Sequence, residues 1–538
     1  MKSAAALLAI LAAGQLRAAE AGNLELSLHE ATRRALERNT SLAVERRSFD
    51  QAVSAVDAAR GAYDVVWEGA FGWRKNTDPV NSLFSGAPAG LLAPENESLY
   101  GSTDFTGLLP TGGSVSIFTN WGRATTNGVF TILSPAYETG VGASLRQPLL
   151  RTLPSDPARE AIRVAAADQR GSRARLEQTV SDTVARVEAA YWTLVARERD
   201  VVSLESSVEL AGRQLSDTKT RVESGTLPKT DVAQPTAELE RRKGDLALAR
   251  RQVEEAQNAL KLLVLGDARD PDWSSAIVPA DAPEAELEKP DLDGSLASGL
   301  SHRAEIAQAR AELEHFEAQA AGRRSDLLPS LDLVASYQRR GLAGGANRDA
   351  ISLDGQPVVV PGPLSGGSGR SYGTIRENRF PDASVGIAFS VPLGNRTARA
   401  NLAIARSRVS QGALGVSSAE QEVGAEIRNA VFAVETARLR IEAARAGRDA
   451  AETQLGAEQE RFHAGLSTNF LVLTRQNELT NARVTETSAL TDYRKALTEL
   501  ARSTGTLLER RGIAIDHSRG DNARFDEADG ARVARNKP

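Results

Sequence analysis

The chain contains no cysteine. That excludes disulfides, thiolate nucleophiles, cysteine-based zinc sites and a lipid anchor on an N-terminal cysteine. Uninterrupted apolar runs of about 20 residues are also missing, which rules out a helical membrane span. Neither sign of charge dominates: 65 Lys and Arg stand against 70 Asp and Glu, a net charge of −5. Such a balance does not suit a nucleic-acid binder. His29, His302, His315, His463 and His517 are scattered without ligand-like spacing, and His315 reads as a solvated residue of a helix face. No phosphate-binding loop, Gly-x-Ser-x-Gly elbow or His-Glu-x-x-His pattern occurs. The expectation is a protein that is not an enzyme and holds no metal or cofactor. Aromatics make up only 5% of the 538 residues, and their placement is uneven.

The first 21 residues read as an export signal. Lys2 gives a positive start, residues 4–13 are apolar, and Ala19-Glu20-Ala21 supplies small residues before Gly22. Charge, short apolar stretch and small-residue site in that order mark a secretory signal peptide. The competing reading is a buried N-terminal helix.

The remainder is two copies of one plan. Arg221-Val-Glu-Ser-Gly-Thr-Leu-Pro-Lys-Thr-Asp-Val232 aligns with Arg461-Phe-His-Ala-Gly-Leu-Ser-Thr-Asn-Phe-Leu-Val472 at an offset of 240. The same offset pairs Glu238 and Leu239 with Glu478 and Leu479. Weak identity with a matching order of elements suggests a duplicated unit. The first repeat is expected over 22–265 and the second over 291–508. An Asp-, Glu-, Pro- and Ala-rich linker (266–290) joins them, and a polar, disordered tail (509–538) follows.

Apolar residues recur every seven positions. Each repeat opens with a helix, Leu28 to Tyr63 in the first and Leu292 to Leu327 in the second. Val180, Val187, Leu194, Val201, Val208, Leu215 and Val222 then mark a long helix at 156–223, and Ile427, Val434, Ile441, Leu455 and Phe462 mark its counterpart at 396–463. Gly turns at 224–230 and 464–468 lead into return helices at 231–265 and 469–508. A seven-residue period implies supercoiled neighbouring helices. On helices alone, a cytoskeletal-type coiled coil competes.

Between the helices, at 64–147 and 328–391, the period changes to two. Val65, Trp67, Gly69, Phe71 and Trp73 alternate with Val66, Glu68, Ala70, Gly72 and Arg74. Leu331, Leu333, Ala335 and Tyr337 repeat the rule, as do the returning strands at Val141–Leu145 and Val385–Phe389. Strands of about ten residues with one apolar face suit a tilted transmembrane strand. Fifteen of the 25 aromatic residues fall in 63–137 and 337–389, a clustering that fits a membrane-interface girdle. An ordinary sheet on a core is the alternative. Four matched strands per chain cannot close a barrel, so the chain is expected to oligomerise, two copies giving eight strands and three giving twelve. A further hairpin-like pair flanks Leu109-Pro-Thr-Gly-Gly113, and its place in or over the barrel stays open. In the second copy, a Gly/Pro-rich loop is expected at about 341–372.

Export signal, doubled helix–hairpin–helix–turn–helix order and membrane hairpins together resemble the TolC family of outer-membrane efflux and secretion channels. Gln147-Pro-Leu149 and Val391-Pro-Leu393, leading into the long helices, and the two Gly turns carry the resemblance up to about Leu508. It implies an α+β membrane protein. Three copies would share a 12-stranded transmembrane β-barrel above a long α-helical coiled-coil barrel in the periplasm. The implied function is a passive outer-membrane exit duct of a tripartite efflux or type I secretion system. The implied partners are two further copies, a periplasmic adaptor, an inner-membrane pump and outer-membrane lipid. Trp67, Phe71, Trp73, Tyr337 and Phe389 would face that lipid. A periplasmic or surface coiled-coil scaffold without a pore is the alternative.

Within that resemblance the Gly turns form the periplasmic tip. Gly225, Thr226 and Leu227 with Gly465, Leu466 and Ser467 would dock the adaptor. The gate candidates are Thr230, Asp231, Arg461, Phe462, Ser467, Phe470 and Leu471. Asp231 and Thr230 match the family's gate residues, but the family's tyrosine and arginine are Phe462 and Ser467 here. A phenyl ring cannot donate to Asp231. Two closures stay open: apolar contacts of Phe462, Phe470 and Leu471, or Arg461 or Lys229 pairing with Asp231. Asp231 also suits a plain helix N-terminal charge.

Overall fold

The computed structural model describes residues 23–77, 79, 86–153, 155–284, 286–352, 358–515 and 524–525. The expected signal peptide, and the expected tail beyond residue 515 apart from 524–525, lie outside the described residues. Two compact units emerge: one of Met1–Gln51, Arg170–Ala311 and Leu414–Pro538, the other of Ala52–Gln169 and Glu312–Ala413.

The first unit is built on seven-residue spacing. Its helical elements are α1 (Leu28–Arg38), α2 (Thr40–Arg60), α3 (Pro157–Glu223), α4 (Ala233–Val264), α5 (Leu292–His302), α6 (Ala304–Ser325), α8 (Arg396–His463) and α9 (Asn469–Ser503), several of which run on into the second unit. At about 1.5 Å per residue, α3 and α8 are each on the order of 100 Å long. Val187 and Leu194 of α3 are fully buried with Leu26, Ala35, Leu260 and Ile277. Ile427, Val434 and Ile441 of α8 do the same with Ile306, Tyr493 and Leu500. Two short strands, β1 (Asn23–Leu26) and β6 (Ala276–Pro279), pair in parallel beside the first cluster. The segment between the repeats is thus partly a strand, stitched to the chain's start.

Each opening helix is broken, against the expectation of one continuous helix. Asn39 takes extended backbone, and its side chain caps the next helix by accepting from Leu42 N at 3.2 Å. Its amide also donates to the Leu263 carbonyl at 3.2 Å. In the second copy Arg303 makes the break, donating to Glu426 at 2.7 Å and to the Arg502 carbonyl at 3.2 Å. Both breaks keep the seven-residue phase, which is why the pattern hides them.

The second unit carries one antiparallel sheet. Its strands are β2 (Val66–Thr77), β3 (Glu95–Leu108), β4 (Ser114–Thr126), β5 (Leu133–Pro148), β7 (Ser330–Ala346) and β8 (Phe380–Ser390), paired in that order. One chain therefore supplies six strands to the sheet, not the expected four. The hairpin around residues 109–113 is the difference. Gly112 sits at φ 79, and Leu109 N reaches Gly113 O at 2.7 Å, closing the turn that returns β3 as β4.

The segment at 341–372 is also not simply a loop. β7 continues through Gly341 and Gly344, and a short helix, α7 (Ser368–Arg376), packs across β5 and β7. A Cβ at Gly341 would lie 2.2 Å from Ser371 O, so glycine is what allows the helix to approach. Thr139 Oγ1 and Ser371 Oγ share a hydrogen bond of 2.7 Å beneath it. His315 is likewise not merely solvated: its Nδ1 stands 2.6 Å from Asp168 Oδ1.

Candidate functional site: an apolar sheet face and a helical tip

The registers decide what each sheet face carries. Trp67 pairs with Phe105, Phe105 with Ile117, Ile117 with Ala143, Ala143 with Tyr337 and Tyr337 with Ala383. Side chains directly opposite share a face. One face therefore carries apolar positions across all six strands, and Trp67, Phe71, Trp73, Tyr337 and Phe389 all lie on it. These side chains are exposed. On the other face, Thr106, Ser116, Ser144, Ser336 and Ser384 follow one another from strand to strand, and Glu68 pairs with Asp104. Glycines there make room for larger neighbours: Tyr100 lies over Gly72, and Phe118 over Gly142. A sheet that is apolar on one face and polar on the other is dressed for lipid on one side and water on the other. Among the described residues no helix is long and apolar enough to cross a membrane.

At one end of the helical unit, α3 and α8 close with the same motif. Gly225 and Gly465 have φ of 77° and 76°. Thr226 N bonds Arg221 O and Gly225 N bonds Val222 O; Leu466 N bonds Arg461 O and Gly465 N bonds Phe462 O. This is the six-to-one, five-to-two cap that needs a left-handed residue, hence glycine. Thr226 and Leu466 are exposed at the turns, and Leu227 and Ser467 are half-buried.

The gate candidates are not drawn into one cluster. Thr230 donates to Asp231 at 3.3 Å. Arg461 lies 3.6 Å from Glu458, and Ser467 also bonds Glu458. Phe462 is covered by the Arg221 guanidinium, 4.6 Å from the ring centre. Phe470 and Leu471 are exposed. Within one chain, then, Arg461 turns to Glu458 and Phe462 to a cation.

What joins the two helix pairs lies about one to three turns further from the tip along the return helices. Arg242 of α4 is buried, yet its guanidinium donates to Glu238 at 2.8 Å and to Ser207 O of α3 at 3.0 Å. It also reaches Gln476 of α9 at 3.5 Å and Leu473 O at 3.4 Å. Glu238 accepts from Arg241 at 2.7 Å and from Asn477 of α9 at 3.0 Å. Arg241 beside it, then Arg242 and Asn477, hold the Glu238 carboxyl down at about 2 despite partial burial. Closer to the turn, Asn469 bonds both Gln214 and Thr218 of α3. Sequence reasoning missed this polar seam. Its one trace was Glu238, aligned with Glu478 but not given a role.

Comparison with known proteins gives the family. Residues 114–265 and 296–506 match the model of the outer membrane efflux protein family, and the chain belongs to it. Its members are channels, not enzymes, of the outer membrane. Among solved structures the chain is similar to the Campylobacter jejuni CmeC outer membrane channel, at 16% identity and a TM-score of 0.62, over 89% of this chain and 86% of that one. It is also similar to the Vibrio cholerae outer membrane protein VceC, at 16% identity and TM-score 0.59, over 89% and 96%. The open state of the Neisseria gonorrhoeae MtrE outer membrane channel matches at 19% identity and TM-score 0.59, over 89% of each chain. Among curated proteins, none matches by sequence.

Proposed function

We propose that this efflux channel is a trimeric exit duct. Its sheet forms a barrel wall in the outer membrane, and its helices form a periplasmic conduit. Residues 1–21 direct export and are removed before Gly22. The Gly turns at 225 and 465 dock a periplasmic adaptor, and an inner-membrane pump supplies the energy, in a tripartite efflux or type I secretion assembly. The chain itself does no chemistry; it opens and closes.

One observation carries this reading. The sheet presents an exposed apolar face, and both of its edge strands, β2 and β8, lack a partner among the described residues. Unpaired backbone is not tolerated in lipid, so such a sheet closes only by joining other copies.

Closure of the tip rests on the polar seam. Arg242 and Glu238 tie α4 to α9, and opening parts these two helix pairs. Mild-detergent extraction, native mass measurement and negative-stain imaging test the reading together. A trimer forming tapered particles well over 100 Å long is expected. A monomer or dimer in the detergent-free soluble fraction would overturn it and leave a coiled-coil scaffold.

A further inference from the structure

We infer that the barrel wall is built from six strands per copy, so that three copies form a wall of 18. The closing contact is β8 of one copy against β2 of the next. This deepens, and rests on, the trimeric duct proposed above.

Three observations meet here. The first is that β3 and β4 are indistinguishable from the other strands in facing. Phe105 and Ile117 stand on the apolar face, opposite Trp67 and Ala143, while Ser102 and Asn120 pair with each other on the polar face. A hairpin that capped the barrel would have no reason to continue both faces in register.

The second is that the two free edges match. β2 has 12 residues and β8 has 11. An even number of antiparallel strands leaves the edges running in opposite directions, so one copy's β8 meets the next copy's β2 antiparallel. The apolar face holds Trp67, Phe71 and Trp73 on one edge and Val385, Ile387 and Phe389 on the other. Setting Val385 opposite Phe71 keeps every apolar position on one side and pairs Val66 with Ser390 and Asn76 with Phe380.

The third is the register within one copy and the slant that this closure would give the wall. Val385 lies on one hydrogen-bonding line with Ala335, Leu145, Val115 and Gly107, which leads to Val65. Closing onto Phe71 instead displaces the strands by about six residues per six strands. With roughly 3.4 Å per residue and 4.8 Å between strands, the tilt is about 35°. Closed barrels have tilts of about 35–45°. The Val385–Phe71 closure, which keeps the apolar positions on one side, thus also gives a tilt that a closed wall requires. Because barrel diameter grows roughly linearly with strand number, such a wall is about half again as wide as one of twelve strands.

High-resolution imaging of the detergent-extracted full chain counts strands and copies at once. The absence of native cysteine adds two clean probes. In the double variant Ala70→Cys/Gly386→Cys, oxidation is expected to link copies covalently into trimers, while neither single variant links. Ser102→Cys is expected to react with a membrane-impermeant thiol reagent in whole outer membranes, and Phe105→Cys only after the membrane is dissolved. A trimer whose wall has 12 strands, with β3 and β4 outside it and both cysteines equally reactive, would overturn the inference and leave the duct standing. Extraction of no oligomer at all would overturn the duct itself, and the inference with it.

Discussion

Phe71, Val385 and Phe389 of the sheet are 74%, 79% and 77% exposed, whereas Arg242 near the helical tip is 2% exposed. The sheet turns its apolar residues outward and its polar residues to the other face. The helices bury their apolar stripes, then break the rule with an arginine and a carboxylate held between two helix pairs. The difference reflects the surroundings each region is built for. Outward aromatics gain only where the solvent is lipid. A buried ion pair adds little net stability, because desolvation offsets much of the attraction, but it makes one arrangement specific and is costly to leave half-made. On the proposed duct, that contrast suits a permanent sheet and a tip with two states.

Predictions that break this contrast fall in a clear order. The largest effect is expected from Ile387→Arg on the apolar face. A cation at that depth costs about 2–4 kcal/mol per copy. Assembled protein in the outer-membrane fraction should drop severely, while Ser384→Arg, on the polar face of the same strand, should assemble nearly normally. Equal assembly of the two variants would remove the distinction between the faces.

Next is Arg242→Ala. It removes one of three donors to Glu238, which keeps Arg241 and Asn477, and leaves the buried carbonyls of Ser207 and Leu473 without that donor, a loss of about 1–3 kcal/mol. Assembly should persist, but single-channel conductance of the closed state should rise several-fold.

Acid should imitate that variant. The Glu238 carboxyl is lowered to about 2, chiefly by Arg241. A lowered folded value stabilises above the ordinary carboxylate range and loses that contribution as pH falls toward 2. Leak should therefore stay flat from about pH 5 to 8 and rise below about pH 4. Glu238→Gln should leak already at neutral pH and show no such rise.

The smallest effect belongs to Asp231→Ala. Asp231 is exposed and takes one bond from its neighbour Thr230, so closed-state leak should change less than about two-fold. A large gain in conductance would show that Asp231, and not the seam at Arg242, holds the tip.

These regions differ as well in how far the sequence reveals them. Seven-residue spacing from Val180 to Val222 falls within a single helix, and alternation at Trp67, Phe71 and Trp73 falls within a single strand. Both are local periodicities, and local geometry sets them. The breaks at Asn39 and Arg303 are hidden because the apolar phase passes straight through. Gly341 and Gly344 look like loop residues, although they sit in β7 where α7 and β5 come close. Glu238 and Arg242 are an ordinary i,i+4 pair of the kind found on exposed helix faces. Only the approach of α9, more than 200 residues away, turns them into a buried junction.

The most direct test is a planar-bilayer recording of the purified wild-type oligomer beside Arg242→Ala at neutral pH. A wild type that is nearly closed and a variant that conducts several-fold more is the expected result. A wild type already fully conducting, or a variant indistinguishable from it, would contradict a tip held shut by the Glu238–Arg242 seam.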